Sequence, residues 1–227
     1  MCSWRPLLVA SGAGILRVMN DARRFAAATT RNREPILDVL RRFVLPGANV
    51  LEIASGTGEH AVFLAPRLQV ASWQPTDPDA DSRRSIDAWR AHAKVERVLP
   101  ALDLDVTFHP WPPLTTPPDV ITCVNMIHIA PWSACEGLLD GAMAVLAPGK
   151  LLYLYGPYRR GGAHTAPSNE EFDASLRSRN PEWGVRDLEE VENAAARRGF
   201  SLVEVTAMPA NNFSVLFRRA DDAARTS

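Results

Sequence analysis

The residues best suited to chemistry lie in one short run, Val50-Leu51-Glu52-Ile53-Ala54-Ser55-Gly56-Thr57-Gly58-Glu59-His60. An apolar stretch gives way to small residues, and a second apolar pattern at helical spacing follows. Small side chains let backbone approach a ligand closely, and the first turn of a helix offers unpaired N–H groups to a carboxylate. A dinucleotide-binding turn reads G-x-G-x-x-G, which would fall on Ala54, Gly56 and Glu59 and leaves the third glycine missing. The run fits G-x-G-x-G instead, with Ala54 in first place. An alanine there is expected to hold an ordinary, negative φ. Asp77 ends the next apolar run, roughly 20 residues beyond the turn, where an acid can accept hydrogen bonds from ribose hydroxyls. Asp103 and Asp105 follow a third apolar run, with Asp105 preferred and Asp103 its rival for a base-contacting acid.

These residues need a scaffold that brings strand ends together. Ile36, Leu37, Val39, Leu40 and Phe43 recur at helical spacing over 34–43, with Pro35 expected in the first helical turn. Strands are expected at 50–54, 70–75, 95–99, 120–124 and 151–155, and helices at 59–68, 82–93, 134–146 and 187–198. Alternating strands and helices imply a mostly parallel sheet covered on both faces. Two last strands, 200–208 and 213–217, are joined by Pro209-Ala210-Asn211-Asn212, too short for a parallel crossover. The final strand must therefore run antiparallel to its neighbour. An α/β, Rossmann-like, seven-stranded sheet with a reversed last strand is the class I methyltransferase plan. It places the glycine turn at the carboxyl end of a central strand, where ligands bind in open α/β sheets. S-adenosyl-L-methionine is the expected cofactor, held by Glu52, Ala54, Ser55, Gly56, Gly58, Asp77, Asp105 and Asn125. In this plan the acid after the third strand contacts the adenine amine.

The acceptor side is read from the ends of the fourth and fifth strands. His128 is a candidate base because imidazole titrates near neutrality, and Tyr158 is expected on the same rim. Residues 157–186 read as an insertion with short helical pieces and as a plausible lid. Asn169, Arg179, Asn180 and Trp183 from that insertion, with Asn211 from the hairpin, are the candidate acceptor-binding residues. Methyl transfer from a sulfonium starts from an activated donor. The protein mainly aligns the partners and needs a base only for a protonated acceptor. Asn125-Met126-Ile127-His128 is not the N/D-P-P-Y/F tetrapeptide used on amide and nucleobase nitrogens, which favours other acceptors.

Composition is that of an ordinary globular domain: 227 residues, 46% hydrophobic and 22% charged, with a net charge of -1. Such a charge offers no general attraction to a polyphosphate, so a small-molecule acceptor is expected rather than nucleic acid or membrane. The histidines at 60, 92, 109, 128 and 164 are scattered, and no metal site is expected. Cys2, Cys123 and Cys135 show no metal or disulfide spacing, which fits a cytoplasmic protein. Residues 1–20 are expected to be an extension outside the fold, with Met19 a candidate start, and 21–227 a single domain.

Several further stretches carry a family likeness. They are Arg31-Asn32-Arg33-Glu34-Pro35-Ile36-Leu37, the run from Asn125 to Trp132, Tyr155-Gly156-Pro157-Tyr158, and Ser168-Asn169 with Phe172-Asp173. Arg179 to Gly184 with Arg186-Asp187, and Met208 to Asn212, complete the set. Together they resemble the methyltransferase-like 26 family over about residues 24–218. The resemblance implies a class I methyltransferase fold and S-adenosylmethionine as cofactor, and implies no substrate. Two other functions are compatible with the residues: an NAD-dependent oxidoreductase, and a non-catalytic methyltransferase-like binding or scaffold protein.

Overall fold

The computed structural model describes residues 21–221. The proposed extension and start site lie outside the described residues. Strands β1 (Asn49–Ile53), β2 (Ser72–Pro75), β3 (Val120–Val124) and β4 (Leu151–Gly156) are parallel. β9 (Asn212–Arg219) runs antiparallel to both β4 and β8 (Phe200–Met208). The sheet order is β2-β1-β3-β4-β9-β8. The chain leaves β1 for β2 on one side and returns to β3 on the other, so the sheet switches direction at β1. The turn after β1 therefore opens onto the crevice expected at such a point.

Helices α1 (Ala27–Leu40), α2 (Glu59–Arg67) and α3 (Ala80–Ala93) precede β3, and α4 (Trp132–Val145) follows it. α5 (Pro167–Arg179) and α6 (Leu188–Arg197) come later. Apolar residues of α1 and α2 close one face over Val50, Trp73, Tyr153 and Tyr155. Those of α4 and α6 close the other over Leu51, Ile53, Leu152 and Leu154. Alternating residues of β1 and β4 thus enter opposite cores, as the period of two requires. Among the described residues, no helix is long and apolar enough to cross a membrane.

Three local expectations are corrected. The sheet has six strands, because 95–99 forms a single bridge to β2, at Trp73–Val98, and the residues after it a second isolated one, at Thr76–Leu102. Leu99 donates to Trp73 and Leu102 to Pro75, but Pro100 between them has no N–H to continue the ladder. α1 begins at Ala27, so Pro35 stands inside the helix rather than in its first turn. The 157–186 segment is more ordered than short helical pieces. It contains the 13-residue α5, and β5 (Tyr158–Arg160) pairs with β6 (Ala163–His164) and β7 (Arg186–Asp187) in a second sheet.

Candidate cofactor-binding site

The turn between β1 and α2 is fixed from both sides. Ser55 N donates to Thr76 O at 2.8 Å, and Thr76 N donates to Ser55 Oγ at 3.2 Å. Ser55 is thereby a buried clamp to the strand end beside it. Gly56 N donates to Asp77 Oδ2 at 2.9 Å, while Asp79 N donates to Asp77 Oδ1 at 2.9 Å. Both carboxyl oxygens of Asp77 therefore hold backbone and each keeps a free lone pair. Burial raises the Asp77 pKa, and the two amide bonds oppose that rise.

The turn is left-handed at three of its five residues, Ala54 (φ 53°), Gly56 (φ 59°) and Gly58 (φ 89°). The expectation of an ordinary φ at Ala54 is overturned. Geometry at this position is dictated by the turn, and alanine is tolerated there at a steric cost. A side chain added at Gly56 would meet nothing within 4 Å, so that face of the turn is open. One added at Gly58 would lie 2.6 Å from Ile86 Cα, so Gly58 permits α2 to pack on α3.

Glu52 lies beneath the turn. Its Oε2 accepts from Trp73 Nε1 at 3.0 Å. Burial lifts its pKa to about 7. Its backbone carbonyl takes the Thr76 hydroxyl at 2.8 Å. Glu52 thus supports the turn from the core. Asp105 Oδ1 accepts from Thr107 N at 2.9 Å and Thr107 Oγ1 at 2.7 Å. One carboxyl oxygen thus closes its own loop, and the other makes none of these bonds. Asp103, the rival, is exposed and pairs with Arg83 at 3.0 Å.

At the end of β3, Asn125 is half-buried with φ 65° and donates its N–H to Tyr155 O at 2.7 Å. His128 and Tyr158 stand 4.9 Å apart, ring edge to ring face, and both are 0% exposed. This corrects their expected place on an open rim. Arg186 N donates to His128 Nδ1 at 3.3 Å, so the neutral ring carries its proton on Nε2. Burial, helped by nearby Arg186, pushes the His128 pKa down to about 3. Such an imidazole is a poor base at neutral pH. Burial also raises the Tyr158 pKa well above the usual range.

The candidate acceptor residues divide into two groups. Asn169 Nδ2 donates to Asn211 O at 2.9 Å, and Asn211 Nδ2 to Ser168 Oγ at 3.2 Å, so insertion and hairpin meet through them. Asn180 caps its own turn, accepting from Glu182 N at 3.0 Å. The Arg179 guanidinium lies 5.7 Å from the Trp183 ring, and its Nε donates to Ser175 O. None of these contacts reaches the glycine turn. Arg186, part of the family likeness but not among the expected site residues, donates to Ile127 O at 2.9 Å, Ala130 O at 2.6 Å and Glu182 O at 2.9 Å. It anchors the insertion to the end of β3. Its signal was the Arg186-Asp187 pair that closes the run Pro181-Glu182-Trp183-Gly184-Val185.

A family model described as "Protein of unknown function (DUF938)" matches residues 23–219. The chain belongs to DUF938. This DUF938 fold is similar to an O-methyltransferase family protein from Burkholderia thailandensis, with TM-score 0.71 and 13% identity, covering 86% of this chain and 58% of that one. It is similar to human N-acetylserotonin methyltransferase in complex with SAM, with TM-score 0.68 and 14% identity, covering 86% and 53%. A Galdieria sulphuraria protein assigned as a sarcosine dimethylglycine methyltransferase gives TM-score 0.69 and 13% identity, covering 86% and 87%. The DUF938 chain thus spans little more than half the length of the first two. At these identities the likeness is one of fold, and that fold is the class I methyltransferase sheet.

Proposed function

We propose that this chain is an S-adenosylmethionine-dependent methyltransferase that acts on a small-molecule acceptor in the cytoplasm. The observation that carries the reading is the turn at 54–58. It is left-handed, pinned to Asp77, and open above Gly56. A cradle that a single Cβ would begin to fill suits a ligand that lies against backbone. The residues therefore fit the cofactor. The methyltransferase-like 26 resemblance supports the same reading.

Ala54, Ser55, Gly56 and Gly58 would form the cradle for its amino-acid end, with Asp77 receiving the ribose hydroxyls through its spare lone pairs. Asn125 would border the site from the end of β3. Glu52 acts from below by holding the turn. When bound, the cofactor supplies a methyl group already activated as a sulfonium substituent. The chain's own contribution is alignment and exclusion of water. His128 and Tyr158 act by packing behind the strand ends, and an acceptor that must lose a proton would pass it to solvent or to a group other than His128. The third glycine of a dinucleotide turn is replaced by Glu59, a buried acid bonded to Ala26 N, which disfavours NAD.

Calorimetric titration with S-adenosylhomocysteine tests the reading. Micromolar binding to the wild type, weakened in Gly56→Ala, is expected. Absence of heat at high micromolar ligand would defeat it. Incubation of the protein and labelled donor with a metabolite extract, followed by mass spectrometry, then identifies the acceptor.

A further inference from the structure

Residues 21–26 run without regular structure ahead of α1, beside the first turns of α2 and α3. Phe25 is 67% exposed and touches the core side only edge-on, its ring centroid 5.0 Å from that of Trp89, so burial of this side chain is not the main hold on the segment. Polar ties add to that contact, and two of them pass through the glycine turn. Glu59 Oε2 accepts from Ala26 N at 2.7 Å and from Thr57 Oγ1 at 2.9 Å. Ser85 Oγ accepts from Arg24 N at 2.8 Å and donates to Thr57 O at 2.8 Å. Glu59 and Ser85 are both buried. Thr57, between the two open-φ glycines, is therefore gripped through its hydroxyl and its carbonyl by the groups that also hold the segment.

Further ties reach the acid side of the crevice. Arg24 Nη1 lies 3.7 Å from Asp79 Oδ1, and Asp79 N is the donor to Asp77 Oδ1. Trp89 Nε1 donates to Arg24 O at 2.8 Å, and the Arg23 guanidinium sits 5.0 Å from the Trp89 ring. One segment is thus connected to both halves of the cradle, the turn at 54–58 and the corner at 77–79.

We propose that residues 21–26, with the first turn of α1 that they lead into and whose Thr29 N donates to Ala26 O at 3.0 Å, form a strap along the cofactor crevice, and that Glu59 and Ser85 are positioning residues coupling the strap to the turn. Because the same two side chains order both, a ligand that orders the turn also orders the strap, and loosening the strap loosens the ligand. The proposal rests on the cofactor assignment above.

Hydrogen–deuterium exchange on the full chain, with and without saturating S-adenosylhomocysteine, tests it. The amides of 22–30 are expected to exchange at least about tenfold more slowly with ligand, together with those of 54–58. Glu59→Ala is expected to erase the protection at 22–30 and to weaken binding by about tenfold, because Ala26 N and Thr57 Oγ1 lose their shared acceptor. Glu59→Gln, whose amide oxygen can accept both bonds, is expected to restore both readouts. Circular dichroism reports whether each variant folds, and the wild-type exchange measurement stands without any variant. If the wild type binds no S-adenosylhomocysteine, the cofactor assignment fails and the strap proposal with it. If it binds but 22–30 exchange unchanged, or Glu59→Ala folds and binds within twofold of wild type, the strap proposal alone is overturned.

Discussion

The amide of Gly56 donates to the carboxyl of Asp77 at 2.9 Å, across 21 positions of sequence, joining the turn after β1 to the end of β2. That bond fixes the distance between the two halves of the cradle. Asp77→Ala removes the acceptor of both Gly56 N and Asp79 N. A loss of about 1–3 kcal/mol in stability is expected, since a donor left without a partner costs that much. S-adenosylhomocysteine affinity should fall further than stability explains. Denaturant melts and calorimetry on the same preparations separate the two effects. Equal affinity would show that Asp77 serves the fold alone.

Ala54→Gly is expected to stabilise the protein. Alanine at φ 53° is strained, by roughly 1–2 kcal/mol for an L-residue. Glycine recovers that strain but adds entropy to the unfolded chain, about 0.4–1 kcal/mol. The net gain should be a fraction of a kcal/mol, visible as a raised midpoint in urea. A lowered midpoint would mean that the alanine methyl packs better than the strain suggests.

Glu52 gives a pH dependence of a particular sign. Its carboxyl stays protonated in the fold up to about 7, whereas in the unfolded chain it ionises near 4.5. The fold binds the extra proton, so this contribution is fully present below the unfolded value and is lost as pH rises through 7. Spread over that interval the loss is about 3 kcal/mol at most. Glu52→Gln keeps an acceptor for Trp73 Nε1 and cannot ionise. Its stability between about pH 5 and pH 8 should fall less than that of the wild type. Parallel slopes in chemical denaturation would exclude Glu52 as the titrating group.

A methyl group at Gly156 would stand 2.3 Å from His128 Nε2. The imidazole cannot swing away, because Arg186 N holds Nδ1 and Tyr158 packs on the ring. Gly156→Ala should therefore cost about 2 kcal/mol or more, in the range of overpacked cores. His128→Ala creates a cavity of its own. The double variant should be more stable than the sum of the two losses allows, and a double-mutant cycle measures this coupling.

Much of the fold was legible because hydrophobic period and turn length constrain it directly. The Pro209 to Asn212 turn required antiparallel β8 and β9, and Ala210 and Asn211 at φ 56° and 58° form it. Asp77 was legible because its distance from the turn is set by one crossover helix. The strained Ala54 was not, since side-chain size says nothing about the φ a turn imposes. The bonds from Thr107 to Asp105 were not legible, because a carboxyl two residues before a threonine can close a local turn as readily as it can face a ligand. The burial of His128 had a visible sign, an imidazole set among Met126, Ile127 and Ile129. The ties through Glu59 and Ser85 left no trace in the sequence, because each joins residues that only the folded chain brings together.

The bond from Asn169 to the backbone of Asn211 makes the insertion and the terminal hairpin a single heritable unit. Grafting the segment around α5 from a relative, to alter what the protein accepts, would leave that carbonyl facing a foreign side chain. A successful chimera must exchange the hairpin tip along with it, and the boundaries of such transplants are set by this amide rather than by the ends of the inserted sequence.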